Sequence, residues 1–168
     1  MIMRMGELWG TSIPAYLAVL AALCFFLPVS VRLSIIDIRT HRLPNRLVFP
    51  SFVAAAVLLL AAGLFLLDGS TMLRTVLGFA AMFGLYVLLR LVYPAGMGLG
   101  DVKLSAVLGL YLGFAGWPAV LAGTVGAFLL GGVWGLVLLA TRRGNGETQI
   151  AFGPFMIAAA WGALLLVP

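Results

Sequence analysis

The run WPAVLAGTVGAFLLGGVWGLVLLA, residues 117–140, contains no charged side chain. As an α-helix rising about 1.5 Å per residue it extends roughly 36 Å, enough to cross the ~30 Å hydrocarbon core of a bilayer. Its small residues Gly123, Gly126, Ala127, Gly131, Gly132 and Gly135 offer surfaces on which a neighbouring helix can approach closely. Directly upstream, Gly116, Trp117 and Pro118 form a turn signal, and a second apolar run occupies residues 102–115. About fourteen residues is short for a full crossing, so a tilted or partly re-entrant course is open to this run.

Four further apolar runs, residues 13–36, 47–67, 72–93 and 150–167, complete the series. The expected fold is an all-α integral membrane protein, a bundle of about six transmembrane helices. Composition agrees: 64% of residues are hydrophobic, 9% are charged and the mean hydropathy is +1.19, more apolar surface than a soluble core of this size can hide. No Pro-rich or Ser-rich linker, low-complexity tail or internal repeat divides the chain, so residues 1–168 read as one membrane-embedded domain. The apolar stretch after Arg4 is longer than a signal-peptide core and lacks a small-residue cleavage site, so it reads as a retained helix.

A net charge of +5 and a pI near 10.2 raise the question of nucleic acid. The basic residues are scattered between apolar spans and form no basic face, which argues against it. Their placement instead sets topology. Arg32, Arg39, Arg42, Arg46, Arg90, Lys103, Arg142 and Arg143 border the connections between spans one and two, three and four, and five and six, whereas Arg4 and Arg74 lie on the other side. By the positive-inside rule those three connections face the cytoplasm and both termini face out. Contact with anionic lipid is the expected role of the basic loops. The single Cys24 excludes an intrachain disulfide and a cysteine-based zinc site, and is expected to be buried as packing.

Five acids occur, of which Asp37, Asp101 and Glu147 fall on the basic side and Glu7 and Asp68 on the other. Asp37 stands in SIIDIRTHRLPN, residues 34–45, among isoleucines at a membrane boundary. A carboxylate there needs water or a partner, either an ion pair with Arg39, His41 or Arg42 or a function. Asp101 stands in GMGLGDVKL, residues 96–104, where it suits the N-cap of the fourth span. The glycines at 96, 98 and 100 permit close approach of another chain, and nothing beside them completes a phosphate-binding loop.

Two acids on one membrane face suggest an aspartyl protease. Like-charge repulsion keeps one carboxyl protonated while the other is ionised. The ionised acid takes a proton from the attacking water, and the protonated one hydrogen-bonds the carbonyl oxygen. No metal, cofactor or nucleophilic serine is required.

DIRTHRLPN, residues 37–45, resembles the first aspartate motif of type IV prepilin peptidases, an acid followed seven residues later by Pro44 and then Asn45. GLGDVKL, residues 98–104, resembles their Gly-any-Gly-Asp motif, and FGPFM, residues 152–156, is similar to a segment opening their last helix. The resemblance implies that Asp37 and Asp101 are the catalytic pair, with Gly98, Gly100, Lys103, Pro44, Gly153 and Pro154 as substrate-binding or supporting residues. It implies as partner a type IV prepilin or pseudopilin precursor, whose basic leader is removed at the cytoplasmic face of the bacterial inner membrane. Larger bifunctional members carry an amino-terminal region with paired cysteines and methylate the new amino terminus using S-adenosylmethionine. This chain resembles the short, peptidase-only branch of tight-adherence pilus systems, and methyl transfer is not expected.

Lys103 reads first as a topology signal, and otherwise as a group that steadies the acids or meets an acidic substrate side chain. Gly153 and Pro154 read either as an opened helix start offering carbonyls to substrate or as an ordinary first turn. Intramembrane proteases of the presenilin type share the glycine motif, but resemble one another in a tyrosine where Ile36 stands here. A proton- or cation-coupled small transporter, or a pilus or secretion assembly subunit, is the alternative from another class.

Overall fold

The computed structural model describes residues 1, 5–94, 96–141 and 151–167. Arg4, Arg142, Arg143 and Glu147 lie outside the described residues. The described chain is helical: α1 (Met5–Thr11), α2 (Ile13–Thr40), α3 (Asn45–Phe65), α4 (Gly69–Val92), α5 (Leu99–Ala115), α6 (Trp117–Ala140) and α7 (Gly153–Leu166). The expected span at 117–140 matches α6 end to end, and the short α1 adds a helix ahead of the first span. Helices α2, α3, α4 and α6 are each long and apolar enough to cross a membrane, and α7 is a shorter apolar helix. The protein is a multi-pass membrane protein.

Local chemistry sets the helix ends. Ser12 caps α2 through its Oγ, which accepts the Ala15 N–H at 3.4 Å. Helix α2 continues to Thr40, past the expected end at 36, and stops at His41 in the left-handed region with φ 51°. Asp37 therefore stands inside the last helical turn. The chain cannot continue as helix through Leu43, because Pro44 disfavours helical geometry in the residue before it. Asp68 caps α4 by accepting from Ser70 and Thr71, from both backbone and hydroxyl of each. Those four bonds hold its carboxyl well below the usual range and account for this acid structurally.

Gly116 alone joins α5 to α6, with φ at +143°, a backbone region that side-chain-bearing residues rarely adopt. The turn signal at 116–118 is thus borne out, with Pro118 in the first turn of α6.

Helix α5 is the axis of the bundle. Every residue from 101 to 115 except Lys103 is buried, whereas α2, α3, α4 and α6 expose long apolar faces such as Leu27, Val57, Leu88 and Leu136. A helix apolar on all sides belongs in an interior. At 17 residues it extends roughly 25 Å, short for a bilayer, but protein surrounds it.

Glycines let α4 and α5 meet backbone to backbone. A Cβ on Gly78 would lie 2.6 Å from Gly113 Cα, and one on Gly109 would lie 2.7 Å from the Gly78 carbonyl oxygen. Arg74 then closes the far end of α5, donating from Nε to the Gly113 carbonyl at 3.0 Å and from Nη2 to the Phe114 carbonyl at 3.1 Å. On the opposite side Phe26 of α2 stacks between Tyr111 of α5 and Trp161 of α7, at 4.5 and 5.4 Å. Tyr111 donates to the Ala22 carbonyl at 2.9 Å, and Trp161 Nε1 donates to Ser30 Oγ at 3.1 Å.

Three expectations are corrected. Cys24 is exposed on the outer face of α2, because in a bilayer an apolar thiol gains nothing by hiding from lipid. Of the small residues in α6, Gly123, Gly126 and Gly131 do face Leu112, Ala159 and Phe152, but a Cβ on Gly132 would meet nothing within 4 Å. Gly98, not Asp101, is the N-cap of α5, since the helix starts at Leu99 and puts Asp101 at its third position.

Candidate active site

Alternating helix directions bring the C-terminus of α2 and the N-termini of α3, α5 and α7 to one end of the bundle. Asp37 and Asp101 both lie there, 4% and 9% exposed. Each carboxyl is held by one backbone N–H. Asp101 Oδ2 accepts from Gly98 at 3.2 Å, reaching back across the first turn of α5 as the third residue of a capping box does. Asp37 Oδ2 accepts from Gly153, the first residue of α7, at 3.0 Å. The two acids are near enough to interact electrostatically. His41 is within the electrostatic reach of Asp37, and His41, Arg39 and Arg42 are all exposed.

The glycines work by having no side chain. A Cβ on Gly153 would stand 2.7 Å from Asp37 Oδ2, and one on Gly98 would stand 2.8 Å from Asp101 Oδ2. A Cβ on Gly100 would stand 2.9 Å from Leu43 Cβ, so this glycine admits the connection between α2 and α3. Lys103 Nζ donates to Asn45 Oδ1 at 2.9 Å. DIRTHRLPN and GLGDVKL therefore touch twice, through Gly100 with Leu43 and through Lys103 with Asn45. Pro44 stands between those contacts as the N-cap residue of α3. Pro154 occupies the ordinary first-turn position in α7, and Gly153 contributes its N–H, the reverse of a helix start that offers carbonyls.

Sequence reasoning took Arg90 only as a topology signal and passed over Tyr86. Arg90 Nη1 donates to the Pro94 carbonyl at 2.6 Å and also to the Met97 carbonyl, gathering the loop that delivers Gly98. Its place in the last turn of α4, eight residues before Gly98, was the available signal. Tyr86 is buried in α4 within electrostatic range of Asp101. No local pattern singles it out.

Beside Lys103 and Asn45 an apolar groove of about 750 Å³ opens between α3, α4 and α5, walled by Phe49, Phe52, Phe79 and Phe83. At this end the molecule presents two buried carboxyls, each with lone pairs left for water or substrate, next to an apolar surface. That arrangement is suited to activating water against an amide at a membrane boundary.

Residues 23–136 match the model of the type IV leader peptidase family. The chain is 34% identical over 166 residues to a prepilin leader peptidase/N-methyltransferase of Aeromonas hydrophila, covering 97% of this chain and 52% of that protein. Proteins of the same name from Stutzerimonas stutzeri and Pseudomonas aeruginosa are 34% and 32% identical over 134 residues, 79% of this chain and 45% of each of theirs. The chain thus spans about half the length of the curated relatives it matches. No solved structure matches it significantly. With more than half of its length matched by the family model, the chain belongs to the type IV leader peptidase family.

Proposed function

We propose that this chain is an aspartyl endopeptidase that removes the leader peptide from type IV prepilins or pseudopilins, with Asp37 and Asp101 as the catalytic pair. The observation that carries the reading is the convergence of two buried acids from separate motifs at one end of the bundle, each oriented by a backbone N–H. One carboxylate accepts a proton from water as the water oxygen bonds to the scissile carbonyl carbon. The other, protonated, donates a hydrogen bond to the carbonyl oxygen as charge gathers there. Collapse of the tetrahedral intermediate breaks the C–N bond, and the departing amine takes the proton. The family's named activity supports the peptidase reading over a transporter or assembly subunit.

The groove beside Asn45 supports an apolar stretch of the precursor lying along α3 and α4, with its cleavage site at the acids. Arg32, Arg39, Arg42, Arg46, Arg90 and Lys103 gather near this end, while Arg74 lies at the other. The positive-inside rule then turns the site toward the cytoplasm, at the inner membrane. Methyl transfer forms no part of the proposal.

The test is coexpression with a candidate prepilin, following precursor mobility. Wild type shortens the precursor, and Asp37→Asn and Asp101→Asn each leave it intact, a loss of at least about a thousandfold for removal of a group that acts in the chemical step. Full processing by both single variants overturns the pair assignment.

A further inference from the structure

Tyr86 has 0% exposure, and its Oη is the one buried side-chain polar atom among the described residues with no hydrogen-bond partner. Such orphans are rare, because a buried hydroxyl without a partner loses its hydration uncompensated. The other buried hydroxyls make the contrast. Ser51 donates to the Leu47 carbonyl, Thr75 to Thr71, Ser105 to Val102, and the second fully buried tyrosine, Tyr111, to Ala22.

Aromatic packing fixes where the Tyr86 ring sits. It stacks on Phe128 of α6 at 5.7 Å and tilts against Phe152 at 6.4 Å, and those two phenylalanines are 5.4 Å apart. Phe152 immediately precedes Gly153, whose N–H holds Asp37. The phenol therefore packs against the residue next to one acid's anchor and lies within electrostatic range of the other acid.

We propose that Tyr86 is a third catalytic group of this site, a hydrogen-bond donor to the scissile carbonyl oxygen of the bound precursor. The proposal rests on the peptidase reading above. A donor to the attacking water would withdraw charge from the nucleophile and slow it. A donor to the carbonyl oxygen strengthens as that oxygen becomes negative, and so lowers the barrier. The hydroxyl breaks no protein hydrogen bond in turning to substrate. It transfers no proton, so the hydrolysis is otherwise as written above.

The test compares wild type, Tyr86→Phe and Tyr111→Phe, purified in detergent, for kcat and KM on a prepilin and for thermal midpoint. Tyr86→Phe keeps the ring and loses only the oxygen. It is expected to lower kcat roughly a hundredfold, as loss of one oxyanion donor does, with KM within about twofold. Its midpoint is expected to stay equal or rise, since an unpaired polar atom leaves the core. Tyr111→Phe is expected to lower the midpoint and keep kcat. Wild-type kcat in Tyr86→Phe, a change in KM alone, or a kcat loss accompanied by a lowered midpoint each overturn the donor role. If wild type cleaves, the aspartate variants do not and Tyr86→Phe cleaves normally, this inference falls and the peptidase reading stands. A wild type that leaves every prepilin intact brings down both.

Discussion

Asp37 and Asp101 receive the same kind of hydrogen bond from very different distances along the chain. The donor to Asp101 is Gly98, three residues before it, and the donor to Asp37 is Gly153, 116 residues after it. Asp101 is oriented as soon as the first turn of α5 forms, because its partner belongs to the same turn. Asp37 is oriented only when α7 has docked against α2. The stacking of Phe26 with Trp161 and the bond from Trp161 to Ser30 hold those two helices together near the middle of α2. One half of the site is thus a property of a local motif, and the other is a property of the assembled bundle.

Two matched substitutions test the contrast, since either adds a methyl group against the Oδ2 of an acid. Gly153→Ala is expected to have the larger effect. Its Cβ would stand 2.7 Å from Asp37 Oδ2 and 3.2 Å from Cγ, and neither helix can retreat without loosening the packing that docks it. A displacement of the order of 1 Å in a reacting group costs about a hundredfold in rate, and that is the loss expected in initial rates of precursor shortening at equal protein. Gly98→Ala is expected to cost about tenfold on the same scale. Its Cβ would meet Asp101 Oδ2 at 2.8 Å but Cγ at 3.7 Å, and the backbone at φ −71°, ψ 143° already suits alanine. The carboxyl there can turn while the helix stays in place. A larger loss from Gly98→Ala would break the distinction between local and assembled anchoring.

The same contrast governs what the sequence makes legible. Uninterrupted apolar length revealed α6 to the residue, and the resemblance of the short motifs DIRTHRLPN and GLGDVKL to those of a known family pointed to Asp37 and Asp101. Both signals are local. The anchor on Asp37 was not legible, because FGPFM shows a helix start but not the side chain toward which its first N–H points. Tyr86 was invisible for the same reason: its environment comes from α6, the residue before α7, and α5. Glycine contact between α4 and α5 was missed because Gly78, Gly109 and Gly113 are spaced along two helices whose register only folding sets. Where rules for water-soluble proteins were applied to lipid-facing positions they failed, as at Cys24.

Lys103 carries the smallest expected effect and the most specific one. Its ammonium donates to Asn45 in an exposed position, so the bond joins the two aspartate motifs at their rim without touching either acid. A single hydrogen bond involving a charged group at an exposed site contributes about 1 kcal/mol or less, so Lys103→Met and Asn45→Ala should each slow processing roughly two- to fivefold. If the bridge is what matters, either substitution already removes it, and the double variant should be no slower than the worse single one. The coupling from such a cycle is expected at about 0.5–1 kcal/mol. Were Lys103 instead meeting an acidic side chain of the precursor, Lys103→Met would exceed Asn45→Ala and their effects would multiply. The cycle therefore separates a clamp between motifs from a substrate contact, using rates alone.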